Sequence, residues 1–200
     1  MRSSSVLPPL IAARSAARQA ELAATCAALF PKPAALVLEL GCGHGHFLAA
    51  YAAAHPATPC LGVDLITLRI ARAQRKQTRL RLPNLAFLKA DALETLAALP
   101  ARVKLAGIFV LFPDPWPKHR HHERRLLQPS LLDALAARAL PGAWLALRTD
   151  HREFFDWARA NLAAHPAWTL APDSPWPFEH PTVFQERLGV FQSLIAMRKV

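Results

Sequence analysis

Short apolar runs alternate with longer helical patterns along most of this chain, and the alternation excludes all-helical and all-β architectures. Runs typical of buried strands occur at residues 35–40, 60–64, 84–90, 105–112 and 143–149. Segments with helical periodicity follow them at residues 44–54, 65–82, 92–100, 129–140 and 152–164. This order is typical of βαβ units, which form a mainly parallel sheet covered by helices.

The two ends of the chain complete this picture. Residues 12–30 have a helical pattern, and the tail contains two more strand candidates, in WTLAP (168–172) and FQSLIAMRK (191–199). No repeat, low-complexity linker or change in composition marks a second domain. We therefore expect one α/β domain over residues 1–200, with a helical extension (1–33) and a core (34–200). The core should be a doubly wound, mainly parallel seven-stranded sheet with helices on both faces.

The charge balance indicates a polyanionic partner. The 200 residues include 24 Lys and Arg against 14 Asp and Glu, a formal net charge of +10, which suits nucleic acid or an anionic membrane. No apolar run approaches the roughly 20 residues that span a bilayer, and the first residues lack a convincing signal-peptide core. The three cysteines form no CxxC pair, so neither a disulfide framework nor a four-cysteine zinc site fits. A reducing cytoplasm is the simplest location.

The segment LELGCGHGHF, which ends at Phe47, contains a glycine-rich turn between a strand and a helix. Glycines allow a sharp turn and the close approach of a ligand, and the helix that follows offers unpaired amides. The dinucleotide fingerprint GxGxxG fits poorly, because His46 stands where the third glycine belongs. Glu39 before a GxGxG turn instead resembles the S-adenosylmethionine loop of class I methyltransferases. A tight turn without any ligand is the alternative.

Two acids follow later strands. Asp64 ends the second strand, about 20 residues after the glycines, where its carboxylate could accept hydrogen bonds from both ribose hydroxyls; a helix cap is the alternative. Asp91 stands where a helix N-cap belongs, with Glu94 three residues later as in a capping box. We weigh a cap and a contact to the adenine side equally for Asp91, and both roles can coexist.

The segment FPDPWPKHRHHERR, residues 112–125, follows the most apolar strand. Its alternate prolines fix the backbone and hold Asp114 in one place at the edge of the sheet where ligands bind. Its cations suit phosphates, and Trp116 is available for stacking; the cations concerned are Lys118, Arg120, Arg124 and Arg125. The three histidines lack zinc spacing and have cationic neighbours, which disfavours a metal site. A solvated helix start is the alternative for residues 123–125.

The motif FPDPWPKHRHHERRLLQP, with LELGCGHG upstream and LRTD downstream, resembles the tRNA (guanine-N7)-methyltransferase family of the bacterial TrmB type. The similarity implies a Rossmann-like class I methyltransferase fold with S-adenosyl-L-methionine as cofactor. It implies that the cofactor pocket is lined by Glu39, Gly41, Gly43, Gly45, Asp64, Asp91 and Asp114, with Asp114 also catalytic. It implies that the tRNA substrate is contacted by Lys118, Asp150 and the tail segment from Thr182 to Gln185. The chain departs from the family at Gln185, where the family has a glutamate.

The expected reaction is methylation of N7 of a tRNA guanine, which the resemblance places at position 46 of the variable loop. An exposed in-plane lone pair makes N7 a nucleophile that needs no strong base. Two other functions remain open at this stage: a non-catalytic RNA-binding module on the same fold, and a methyltransferase for another RNA or a small molecule. Both a monomer and a homodimer are compatible with the sequence.

Overall fold

The protein contains one seven-stranded mixed sheet with helices on both faces, as the sequence predicts. The computed structural model describes residues 9–181 and 189–200. The strands are β1 Ala34–Leu40, β2 Cys60–Asp64, β3 Leu85–Lys89, β4 Val103–Leu111, β5 Ala139–Thr149, β6 Trp168–Leu170 and β7 Gln192–Arg198. The α-helices are α1 Pro9–Leu29, α2 His46–Ala54, α3 Thr67–Leu80, α4 Ala92–Ala98, α5 Pro129–Arg138 and α6 Arg152–Ala164, and a 3₁₀ helix spans His119–Arg124.

The strand order in the sheet is β3-β2-β1-β4-β5-β7-β6. The first five strands in this order pair in parallel, and β7 runs antiparallel between β5 and β6. The chain moves outward from β1 in one direction to β3 and then returns to β4 on the other side of β1. Such a reversal opens a crevice at the carboxyl ends of the two central strands, and this is where open α/β sheets bind ligands. The segments that follow β1 and β4 are the glycine turn and the proline loop.

Two apolar clusters lie on the two faces of the sheet. Leu36, Leu38 and Leu40 of β1 belong to the larger one, together with residues from α1, α4, α5 and α6. Val37 points to the other face, where it joins α2 and α3. This alternation follows from the two-residue period of a strand. It also assigns Glu39 to the face of α2 and α3.

Helix α1 takes part in the core rather than forming a separate appendage. Its residue Cys26 is fully buried in the larger cluster, and Phe30 just beyond the helix is 7% exposed. All three cysteines are buried and free. Within the described part of the chain, none of the helices has the length and apolar character needed to cross a membrane.

Strand β5 begins four residues earlier than its apolar pattern predicts. Pro141 and Gly142, which the sequence predicts as a break between α5 and the strand, lie inside the strand itself. The pairing of β4 with β5 shifts register between Leu105 and Gly107. A Cβ on Gly107 would lie 2.1 Å from the ring of Trp144, so this irregularity lets the large ring lie directly against the neighbouring backbone.

Candidate active site

The glycine turn joins β1 to α2 through three left-handed residues. Gly41, Gly43 and Gly45 have φ angles of 75°, 54° and 66°, a region that other residues rarely adopt. A Cβ on Gly45 would lie 2.5 Å from Phe87, whereas one on Gly41 or Gly43 would meet nothing within 4 Å. Gly45 is therefore needed for packing, and the backbone at the other two glycines borders open space that a ligand can approach.

Glu39 is a buried carboxyl with one unsatisfied oxygen. It is 3% exposed at the carboxyl end of β1, and its Oε2 has no hydrogen-bond partner among the described residues. Burial raises the pKa of Glu39 to about 8, a hydrogen bond with the backbone of Leu48 opposes the rise, and the charge of Asp64 adds to it. A buried acceptor without a donor is costly in a folded protein. Glu39 is therefore suited to receive a donor or a cation from a ligand.

Asp64 braces the glycine turn. Its Oδ2 accepts a hydrogen bond from the N–H of Gly43 at 3.0 Å, its Oδ1 accepts one from the N–H of Ile66 at 2.8 Å, and Arg69 lies 3.5 Å away. The side chain is almost fully buried. Each oxygen retains a further lone pair, so the bracing role leaves acceptor capacity for the hydroxyls of a ligand.

Two apolar side chains beside Asp64 join the site, although the motifs in the sequence do not point to them. Leu65 is 65% exposed and Ile66 is 45% exposed, although leucine and isoleucine are usually buried. They follow directly after the carboxyl end of β2 and form an apolar shelf at the rim of the crevice. In the sequence, Leu65 and Ile66 indicate a binding site only if the end of β2 is already known to bind a ligand.

Asp91 caps helix α4. Its side chain accepts hydrogen bonds from the N–H groups of Leu93 and Glu94, at 2.8 and 3.3 Å, and this is one of the two roles weighed for it. The capping box is not formed, because the Glu94 carboxylate pairs with Arg18 of α1 instead. Asp91 remains partly exposed, so a contact to a ligand stays a prediction.

The proline loop has a constrained backbone. Phe112 and Trp116 have positive φ angles of 49° and 44°, unusual values for aromatic residues. Asp114 lies between these two residues and is exposed to solvent. A carboxylate stabilises a developing charge best where water is excluded. Asp114 is exposed among the described residues, so a further group must cover it before water is excluded.

The 3₁₀ helix His119–Arg124 presents cations beside Trp116. The guanidinium of Arg124 lies over the Trp116 ring, 5.1 Å from its centroid, and both Lys118 and Arg120 are exposed. In the described ranges, no group of three or more His, Cys, Asp or Glu residues could hold a metal ion. The exposed cations with a ring among them fit a phosphate-rich ligand.

Arg125 is buried and does not lie on this surface, so the prediction that it contacts RNA is wrong. It is 2% exposed, and its guanidinium lies 5.3 Å from the Trp157 ring. It donates to the carbonyl oxygen of Pro115 at 3.0 Å and to Glu153 Oε1 at 2.7 Å. Arg125 therefore ties the proline loop to helix α6.

The carboxyl end of β5 holds Asp150 and Arg148, the arginine of the LRTD motif, to which the sequence assigned no role. Asp150 is exposed. Arg148, 4% exposed, stacks on Trp176 at 3.9 Å and donates to Glu179 Oε2 at 2.9 Å. Its guanidinium also lies 5.1 Å from the ring of Phe191.

Thr182 and Gln185 lie outside the described residues. Arg148 contacts Trp176 and Glu179 before that segment and Phe191 after it. These contacts hold both flanks of the segment next to the end of β5. A cavity of about 450 Å³ lies on the other side of Arg148, between α6 and the β6–β7 edge. It is separate from the glycine turn.

Most of this chain is similar in sequence to known proteins. Residues 33–188 match a family described as putative methyltransferase. A tRNA (guanine-N(7)-)-methyltransferase of Treponema pallidum is 41% identical over 155 residues, which are 78% of this chain and 62% of that protein. The chain thus spans less than two thirds of that relative. One from Thiobacillus denitrificans is 38% identical over 165 residues, covering 82% of this chain and 73% of that protein.

Solved structures support the fold alone. The 16S rRNA methyltransferase KamB superposes with a TM-score of 0.61 at 21% identity, covering 86% of this chain and 91% of that one. The family match covers residues 33–188. The relative from Thiobacillus denitrificans, of which this chain covers 73%, is 38% identical. The chain belongs to the tRNA (guanine-N7)-methyltransferase family.

Proposed function

We propose that this protein is a cytoplasmic enzyme that transfers a methyl group from S-adenosyl-L-methionine to N7 of a tRNA guanine, acting through a single catalytic domain. The observation that carries the proposal is the buried carboxyl of Glu39, whose Oε2 has no partner among the described residues, beside an open glycine turn. One strand away, β4 leads into the loop that contains Asp114. Relatives that match most of this chain are named for the same reaction.

The crevice fits the cofactor on its own chemistry. Glu39 offers an acceptor for a cationic amino group, since a buried carboxylate is stabilised by an opposite charge. The turn at Gly41 and Gly43 leaves backbone exposed to a ligand, and Asp64 retains lone pairs for ribose hydroxyls. The shelf of Leu65 and Ile66 would cover an aromatic ring. S-adenosylmethionine supplies the methyl group, whose bond to sulfur breaks as guanine N7 forms its new bond to carbon.

Asp114 is the residue to which we assign the catalytic role. N7 attacks through a lone pair, so no proton has to leave first. The purine gains positive charge during transfer, and a carboxylate held beside it stabilises that charge in the transition state. The prolines and the tie from Arg125 fix the loop in advance, so little reorganisation is needed when the substrate arrives.

The remaining residues are assigned to the substrate. Lys118, Arg120 and Arg124 are exposed cations suited to phosphates. Asp150, Thr182 and Gln185 are assigned to the guanine and its neighbours. This assignment is supported by Arg148, which holds both flanks of the segment with Thr182 and Gln185 near the end of β5. Turning the base outward from the tRNA costs a few kcal/mol, which phosphate contacts can offset.

The test uses purified protein, S-adenosylmethionine and an unmodified tRNA transcript. Nucleoside mass spectrometry should detect 7-methylguanosine, and the modified position should lie in the variable loop. Asp114→Asn should lower kcat at least about 100-fold while tRNA affinity changes little. Glu21→Gln, an equal change of charge on exposed α1, is the control and should retain full turnover. Undiminished turnover in the Asp114 variant would refute its catalytic role.

A further inference from the structure

Helix α3 presents a row of cations on one face. Arg69, Arg72, Lys76 and Arg79 follow one another at spacings of three, four and three residues, which places them along one side of a helix. Arg75 lies beside them. The adjoining side of α3 is anchored in the core by Ile70 and Ala73. We call the five cations the α3 stripe.

The α3 stripe borders the glycine turn. Lys76 Nζ donates a hydrogen bond to the carbonyl oxygen of His44 at 2.9 Å, and Arg72 Nη1 lies 3.4 Å from His44 Nε2. His44 is the residue between Gly43 and Gly45. The stripe therefore runs along the candidate cofactor site from Arg69 to Lys76 and ends at Arg79, over a total length of about 15 Å at 1.5 Å per residue.

Little negative charge compensates the stripe. Asp64 lies 3.5 Å from Arg69, but Arg72, Lys76 and Arg79 form no ion pair with any described residue. Partial burial and then the charge of Arg79 together lower the pKa of Lys76 to about 8. Burial and then the charge of Arg72 lower the pKa of His44. Closely spaced like charges disfavour the free protein and favour a bound polyanion.

We propose that the α3 stripe binds the phosphate backbone of the substrate RNA, on the side of the cofactor site away from the proline loop. The inference rests on the proposed function and adds a second RNA-binding surface to it. Helix α3 follows β2, and β2 lies two strands from β4. Neighbouring strands are about 4.8 Å apart, so the two surfaces are separated by roughly 10 Å of sheet edge. An RNA that delivers a base to Asp114 can therefore cross the crevice and reach the stripe.

The test is a triple variant, Arg72→Gln, Arg75→Gln and Arg79→Gln, which leaves Lys76 and its bond to the glycine turn intact. The matched control, Lys32→Gln, Lys104→Gln and Lys199→Gln, removes as much charge from exposed positions at the edge of the sheet opposite the crevice. We expect the stripe variant to raise the KM for tRNA about tenfold or more. The slope of its salt dependence should become shallower by about 0.7–0.9 for each phosphate that the variant no longer binds. Its kcat at saturating tRNA and its affinity for S-adenosylmethionine should stay within about twofold of wild type.

Three results would overturn the inference. One is an unchanged tRNA KM, and another is an equal loss in the control, which would show a general effect of net charge. The third is the loss of binding to anionic phospholipid vesicles with unchanged tRNA binding, which would assign the stripe to a lipid surface. Filter binding of the same transcript measures tRNA affinity without turnover. A wild-type protein that binds tRNA but forms no 7-methylguanosine would contradict the proposed function and leave the stripe testable.

Discussion

Glu39 is unusual for its position in the sheet. It lies in the central strand, and Val37, two residues earlier on the same face, is fully packed. A carboxyl at such a place costs stability unless it stays protonated or gains a partner. The raised pKa of Glu39 and its Oε2, which has no partner among the described residues, are expected for a carboxyl that binds a cationic group of a ligand.

Replacing Glu39 by Gln should remove a pH dependence of stability. Because the folded pKa of about 8 lies above the ordinary value of 4.5, the unfolded chain loses this proton first. The free energy of unfolding of the wild type should therefore fall, relative to Glu39→Gln, as pH rises from about 4.5 to 8 and level off above that. Urea denaturation of both proteins at several pH values measures the difference.

A constant difference across that range would mean that the carboxyl is not protonated in the folded protein. The same variant should bind S-adenosylmethionine more weakly, because the amide cannot balance the charge of an amino group. Calorimetric titration at pH 8 measures that loss, and Glu21→Gln serves as the control.

The sequence identified Glu39, Asp64 and Asp91 because each follows or ends a recognisable strand, and strand ends are local features. It misplaced Arg125, since the residues that bury this side chain, Glu153 and Trp157, lie about thirty positions further along. Nothing within the basic segment distinguishes its buried arginine from its exposed ones. Side-chain partners that are distant in the chain determine such details.

At the scale of the elements, the proline loop is held in place by Arg125, a side chain of the same segment. Arg125 donates to the carbonyl oxygens of Pro115 and Trp116, at 3.0 and 3.5 Å. The Nη2 group that donates to Trp116 also donates to Glu153 in α6. The loop that holds Asp114 is therefore connected to the body of the protein by one buried guanidinium.

Arg125→Met should loosen this loop. Loss of the charged hydrogen bonds to backbone carbonyls should lower the free energy of unfolding by about 2 kcal/mol. With Asp114 no longer held, kcat should fall more than the KM for tRNA rises, and Arg125→Lys should recover part of it. Steady-state kinetics below the unfolding temperature measure both constants.

The neighbouring Arg124 provides the matched comparison. It is exposed and stacks on Trp116, so Arg124→Met should leave stability unchanged and raise the KM for tRNA. If the Arg125 variant instead behaved like the Arg124 variant, Arg125 would act as a surface contact to RNA and would not anchor the proline loop.

The elements themselves follow the apolar and helical patterns closely, with β5 as the instructive exception. A Pro–Gly pair usually ends regular structure. Here the pair lies inside a strand, at a point where the pairing with β4 shifts register and Gly107 lies under the Trp144 ring. The pattern of one segment could not reveal an irregularity that its neighbour makes possible.

At the scale of the whole molecule, positive charge occurs on both sides of the crevice. The cations after the proline loop lie on one side and the α3 stripe on the other, in a chain of net charge +10. The number of strands and the class of fold followed from the order of the elements. The two-sided arrangement did not, because it depends on the reversal of strand order at β1 and β4.

Binding of tRNA should therefore weaken steeply with salt. The logarithm of the affinity should fall by about 0.7–0.9 for each phosphate contacted, per tenfold increase in salt, whereas the affinity for S-adenosylmethionine should change little. Filter binding and calorimetry across a salt series measure the two slopes. A shallow tRNA slope would exclude an extended phosphate interface and would favour a small substrate.

The position of β7 has a consequence for how the protein is made. This strand is synthesised after β6 but is inserted between β5 and β6, and it pairs with β5 at six positions from Trp144 to Thr149. Until β7 has left the ribosome, the edge of β5 that β7 will cover exposes unpaired amides and carbonyls. An edge of this kind can pair with other chains. The nascent polypeptide must therefore leave its sheet open until β7 has been synthesised, and the open edge is a natural target for chaperones.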